Sequence, residues 1–169
     1  RATPQLIDYA WLDTPLFNLF RDPTMQPQIE AALFSSMGEE VAQNHNTVYL
    51  ARRDGKLAGT CLLTASKSVP VLGGFGEVAT SPDFRGSGIA TELCRQAVDD
   101  FREGGGQALF LGTGNPEAAR IYYRLGWRKL AGANVMANIS NGRSPEEFLV
   151  DHFRDLGPAT VKAATPAAR

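Results

Sequence analysis

Cysteine is scarce in this chain: only Cys61 and Cys94 occur among its 169 residues, both within apolar segments. Two thiols so placed exclude a disulfide framework and a cysteine-rich metal site, and they read as small buried hydrophobes in a reduced, cytosolic (cytoplasmic) setting. No apolar run approaches the roughly 20 residues that span a bilayer, and no signal peptide is visible, so no membrane role is expected. A dominant charge of one sign is missing as well. The formal net charge of -1 argues against a general nucleic-acid binder, which would present a basic surface. His45 and His152 stand apart from each other and from any metal-ligand spacing. No metal is expected, and both read as solvated positions on a loop or helix surface.

What is present suits one compact domain with a proper core, since 43% of the residues are hydrophobic and 21% charged. The domain is expected over residues 1–156. Residues 157–169, rich in Ala, Thr and Pro, read as a tail or linker. With Arg1 rather than Met at its start, the chain reads as trimmed or as a segment of something longer.

Residues 5–10 suit a weak first strand. Asp13-Thr14-Pro15 opens a helix, because a capping side chain followed by Pro satisfies orphan N–H groups, and residues 26–37 continue as a second helix. From Thr47 the apolar period changes to two. Asp54-Gly55 then provides a hairpin turn into a strand over 57–63, since both residues tolerate positive φ. A further strand covers 74–80. Ile89, Leu93, Ala97 and Phe101 recur every four residues on a helix that Gly104-Gly105-Gly106 ends. A short strand (108–112), a helix opened by Asn115-Pro116 and closed at Gly126, and two strands (127–131 and 134–139) follow. Ser144-Pro145-Glu146-Glu147 is a capping-box start for a last helix. This order supports an α/β (α+β) fold, a mixed sheet covered by helices.

The chemistry lies in the run from Glu77 to Thr91, where a strand passes through a turn of small residues directly into the clearest helix. A helix start leaves N–H groups unpaired and carries partial positive charge. Gly86 and Gly88 clear the approach of a phosphate, Ser87 and Thr91 add hydroxyls, and Arg85 adds a cation. This is a diphosphate cradle. It is not a P-loop, because Ile89 stands where Lys would be required. A dinucleotide fingerprint would need a glycine where Thr91 stands, and Thr91 is too large for close helix–strand packing.

The pattern Arg-x-x-Gly-x-Ala, met by Arg85, Gly88 and Ala90, resembles the pyrophosphate loop of the GNAT N-acetyltransferase superfamily. Downstream, Asn115-Pro116-Glu117-Ala118-Ala119-Arg120-Ile121-Tyr122-Tyr123-Arg124-Leu125-Gly126-Trp127 resembles its other cofactor-side motif, Asn-x-x-Ala-x-x-aliphatic-Tyr-x-x-x-Gly-aromatic. The two stand in the family's order, one helix and one strand apart. Ala90 replaces the more frequent Gly and Trp127 the more frequent Phe.

The resemblance implies a GNAT fold, with a largely antiparallel mixed sheet flanked by helices on both faces, and acetyl-CoA as co-substrate. Backbone groups of Val78, Ala79 and Thr80 would pair with the pantetheine arm along a bulged, splayed strand. Arg85, Gly86, Ser87, Gly88, Ile89, Ala90 and Thr91 would hold the pyrophosphate, and Asn115 would lie near the cofactor arm or serve as a helix cap. Tyr122 falls where many members carry the acid that protonates the departing thiolate; a packed aromatic is the other reading, and Tyr123 lies about 100° further round the helix. Glu77, the nearest carboxylate, is the candidate base unless it faces away. The implied activity is acetyl transfer to a primary amine by direct attack in a ternary complex, on a small-molecule or peptide acceptor, with a homodimer allowed. The acceptor site would be shaped by the N-terminal helices, the loop over 66–74 and the last strands. Two alternatives stay open: a catalytically silent acyl-CoA-binding sensor, and an acyltransferase domain of a larger polypeptide.

Overall fold

A computed structural model describes residues 44–155. The expected strand over 5–10, both N-terminal helices and the tail over 157–169 lie outside the described residues. Strands β1 (Asn44–Arg53) and β2 (Lys56–Ser66) form an antiparallel hairpin. Its turn is Asp54-Gly55, with φ of +53° and +75°, the left-handed pair that matches strand twist. Strand β3 (Leu72–Thr80) continues the antiparallel ribbon. A 3-10 turn (Pro82–Phe84) and the glycine loop then lead into helix α1 (Ile89–Glu103). Strand β4 (Ala108–Gly112), helix α2 (Pro116–Arg124), strands β5 (Arg128–Lys129) and β6 (Val135–Ile139), and helix α3 (Pro145–Phe153) complete the described fold.

The six strands lie in the order β1-β2-β3-β4-β6-β5, and only the β3–β4 pairing is parallel. The mixed, largely antiparallel sheet expected from the sequence is therefore present. The strand expected over 127–131 is only two residues long. Trp127 precedes it as a wholly buried ring rather than a strand residue.

Helices cover both faces. Leu93, Cys94, Ala97, Val98 and Phe101 of α1 pack with Cys61, Leu63, Phe75, Leu109 and Leu111 on one face, and α2 adds Tyr122 to the same core. On the other face Phe148 of α3 packs with Ala108, Ala137 and Ile139. Alternation along β4 explains the division, because successive side chains of a strand point to opposite faces. Burying α1's five side chains contributes on the order of 10 kcal/mol before chain entropy is counted. The helix sits close to the sheet because Gly59 of β2 lacks a side chain; a Cβ there would come within 2.6 Å of Ile89 Cγ2. That close approach is made from the strand side, and Thr91, too large for such a contact, is exposed. At the far end of α1, Gly106 makes room for Phe101, whose ring a Cβ would meet at 2.2 Å. No helix among the described residues is long and apolar enough to cross a membrane.

Candidate functional site

The site begins where β3 departs from regular geometry. Thr60 pairs with Ala79 and Leu62 with Gly76, so one residue of β2 faces two of β3. This β-bulge places Glu77 at φ +53°, a left-handed conformation rare for a side chain of this size. Thr60, wholly buried, holds the bulge by donating its hydroxyl to the Glu77 carbonyl at 3.1 Å. Beyond it β3 and β4 separate. Their parallel pairing covers only Leu72–Ala108, Gly73–Leu109 and Gly74–Phe110. Ala79 and Thr80 pair with Thr60 and Gly59 of β2, Val78 lies in the bulge, and none of the three has a β4 residue in register, leaving a cleft edged by backbone.

The cleft runs into the glycine loop. Ser81 N–H donates to the Ala58 carbonyl (2.9 Å) and Phe84 N–H to the Ser81 carbonyl (2.9 Å), which fixes the turn. The Ser87 hydroxyl donates to the Phe84 carbonyl at 2.5 Å, so its proton is used inside the loop. Arg85 Nε reaches the Thr80 carbonyl at 3.4 Å, leaving the rest of an exposed guanidinium beside the helix start. Gly86 (φ +76°) and Gly88 (φ +83°) are both left-handed, and open space lies where their Cβ atoms would be. Only glycine takes these conformations without strain, and only glycine leaves that space clear.

The three described helices start differently. Asn115 caps α2, its Oδ1 accepting from Glu117 N–H (2.9 Å) and Ala118 N–H (3.4 Å). Ser144 and Glu147 form the expected capping box on α3. Helix α1 has Gly88 at its cap, with no side-chain acceptor, and its first intrahelical bond runs from Glu92 N–H to the Gly88 carbonyl (3.0 Å). The N–H groups of Ile89, Ala90 and Thr91 thus precede the first helical bond and meet no capping side chain, which is the donor set an anion needs.

Tyr122 is buried on the inner face of α2, its ring centroid 6.3 Å from that of Phe75 and 5.9 Å from that of Trp127. Burial pushes its phenol well above the usual tyrosine range, so the group stays protonated as a donor. Tyr123 points outward and is half-exposed. Glu77 and Gly76 line a groove of about 580 Å³ together with Asn44, Leu62, Thr64 and Phe110. The structure therefore puts Glu77 at the parting of the strands. His45 is exposed on β1 rather than on a loop, and His152 stacks on Phe148 at 5.6 Å, away from this region. Cys61 and Cys94 are buried and reduced; burial raises both thiols, that of Cys94 to about 12. Among the described residues no cluster of three or more His, Cys, Asp or Glu could hold a metal ion.

The model of the acetyltransferase (GNAT) family matches residues 8–127, which contain the bulge, the loop and the Asn115 helix. This chain belongs to the GNAT acetyltransferase family. It is thus an acyltransferase of the class that draws on acetyl-CoA. No curated protein matches the sequence.

Solved structures share the GNAT fold at low identity. A ribosomal-protein-alanine N-acetyltransferase from Brucella melitensis is 16% identical, with 66% of this chain and 78% of that one covered and a TM-score of 0.52. An IAA acetyltransferase from Bacillus cereus is 20% identical, with coverage of 62% and 83% and a TM-score of 0.50. A GNAT-family acetyltransferase from Streptococcus pneumoniae is 19% identical, with coverage of 68% and 75% and a TM-score of 0.50. At these identities the likeness is one of fold.

Thr60, the tether of the bulge, was not singled out from the sequence, nor were Asn44, Thr64 and Phe110 of the groove. Each lies on an unremarkable strand, and its significance comes from partners many residues away. Trp127 adds one more feature: its buried Nε1 has no hydrogen-bond partner among the described residues.

Proposed function

We propose that this GNAT acetyltransferase transfers acetyl from acetyl-CoA to a primary amine by direct attack in a ternary complex. The observation that carries the reading is the continuous path from the parted strands to the uncapped start of α1. Its backbone edge at Val78, Ala79 and Thr80 suits an amide-bearing pantetheine arm. Its end at Arg85–Thr91 suits a diphosphate, with the N–H groups of α1 and the Arg85 guanidinium as donors. Asn115, whose Oδ1 is committed to the cap of α2, has its amide nitrogen left for the cofactor arm.

In this reading the amine enters from the groove lined by Glu77, Thr64 and Phe110. Its nitrogen attacks the thioester carbonyl carbon, a new C–N bond forms, and the C–S bond breaks. The Glu77 carboxylate takes the proton that the amine loses. Tyr122 donates a hydrogen bond to the departing sulfur and supplies its proton, giving an N-acetyl product and free CoA thiol. A phenol raised by burial is a weak acid, so its main contribution is to stabilise charge on sulfur as the bond breaks.

Incubation with acetyl-CoA and a panel of primary amines, followed by thiol release and mass detection of the acetylated product, tests this. Equal amounts of thiol and N-acetyl product are expected for at least one amine class. Tight CoA binding without thiol release across the panel would make the chain a binding module instead.

A further inference from the structure

The far end of α1 carries a second pocket that acetyl transfer does not use. Arg102 of α1, Arg128 of β5 and Arg143 of the turn after β6 line a cavity of about 230 Å³ together with Gly126, Ala137, Ile139, Ser140 and Gly142. No carboxylate is among the lining residues. Two of the guanidiniums, those of Arg102 and Arg128, are held in place by neutral groups. Arg102 Nη2 donates to Asn138 Oδ1 at 2.7 Å, and Asn138, itself only 3% exposed, donates through Nδ2 to the Leu125 carbonyl at 3.0 Å. Arg128 Nη1 donates to the Trp127 carbonyl at 2.9 Å and to the Tyr123 carbonyl at 3.4 Å. Neither arginine forms an ion pair among the described residues. Arg143 pairs with Asp151, but that carboxylate also pairs with Arg154, so its one charge is shared between two cations.

The result is a concentration of positive charge on a chain whose net charge is -1. Carbonyl dipoles at the ends of the helices offset part of it and leave the ionic charge uncompensated. Three guanidiniums from three separate elements match a tetrahedral dianion better than a single carboxylate, which one guanidinium fork would satisfy. The volume lies below the roughly 300–1,000 Å³ of sites for drug-sized ligands, so it suits a headgroup and not a whole nucleotide. The pocket is also separate from the diphosphate cradle. Arg102 stands fourteen positions along the helix from Gly88, roughly 20 Å at the α-helical rise.

We propose that Arg102, Arg128 and Arg143 form a binding site for a phosphate dianion, carried as free phosphate or as the terminal phosphomonoester of a small molecule. The experiment is an NMR amide titration of the whole chain with inorganic phosphate and, in a second arm, with glycerol phosphate. Ionic strength is held constant with chloride. Saturable shifts of the Gly126, Ser140 and Gly142 amides are expected, separable by residue from any response at Gly86 and Gly88. Saturation by both ligands assigns a phosphomonoester site, and saturation by phosphate alone assigns a free-anion site. Arg128→Gln should weaken the response at least tenfold, Arg102→Gln likewise, and Arg128→Lys should restore most of it. Linear shifts that chloride reproduces, or a saturable response unchanged in Arg102→Gln/Arg128→Gln with the amide spectrum otherwise retained, would overturn the proposal.

Discussion

The two ends of α1 both depend on glycine, for opposite reasons. At the start, Gly86 and Gly88 hold left-handed turns and leave space in front of unpaired N–H groups. At the finish, the space beside Gly106 is already filled by the Phe101 ring, and the N–H groups of Gly104, Gly105 and Gly106 donate to the Asp100, Arg102 and Phe101 carbonyls. The space at Gly86 and Gly88 is open, and that beside Gly106 is closed by packing. The difference separates the proposed diphosphate contact at Gly86 and Gly88 from the packing at Gly106, and substitutions at these glycines should separate CoA affinity from stability in measurement.

Gly88→Glu should have the largest effect. Its side chain would enter the open space and oppose the diphosphate charge. Loss of two charge-assisted hydrogen bonds, roughly 1.5–3 kcal/mol each, weakens CoA binding by about 100-fold or more. Calorimetric titration with CoA measures it, and unchanged affinity would remove the loop from the site. Tyr122→Phe should come next, lowering kcat roughly 100-fold while CoA affinity and the Phe75–Trp127 packing persist. Full turnover in that variant would leave Tyr122 a packing residue only. Gly106→Ala tests the closed end. Pushing a Cβ against Phe101 should cost about 2 kcal/mol in chemical denaturation. CoA affinity of the folded protein should not change, and a loss of affinity would break the contrast between the two ends. Glu77→Gln should have the smallest effect, about tenfold in kcat/KM, with the acid limb of the pH profile flattened as the proton acceptor is lost. A profile superimposable on that of the unaltered protein would exclude Glu77 as the base.

The two ends also differ in how far they could be read from sequence. The loop and the Asn115 helix were legible because their chemistry is local: glycines, a cation and a helix start occur within six residues, and Asn-Pro announces a cap. Helix α1 was equally plain, since Leu93, Ala97 and Phe101 repeat at helical spacing. The resemblance implied a bulged strand ending at Val78–Thr80, but not which residue turns left-handed there. That residue is Glu77, whereas the adjacent Gly76 is the one whose type would have suggested it. Nor could Gly59 be seen as the site of closest helix approach, because its neighbour Ile89 lies 30 residues on. The groove draws on β1, β2, β3 and β4 together, so its composition emerges only once register is fixed. Trp127 misled for a related reason: an apolar residue beside Arg128 suggests strand alternation, while the fold uses it as a core plug between α2 and β5.

The parallel seam between β3 and β4 has a consequence for the mechanics of the whole sheet. Among the described residues, three register pairs, with the Gln107 and Ala108 N–H groups donating to the Val71 carbonyl at their near end, join the ribbon β1–β3 to the ribbon β4–β6–β5. An extended, amide-bearing substrate arm lying in the cleft would continue that ladder, acting as a transient strand borrowed from a small molecule. Occupancy and sheet integrity would then be thermodynamically linked. At a ligand concentration 100 times Kd the folded state would gain about 2.7 kcal/mol. Hydrogen exchange at residues 78–80 would slow with occupancy and quicken on product release, so each catalytic cycle would stiffen the sheet and then relax it.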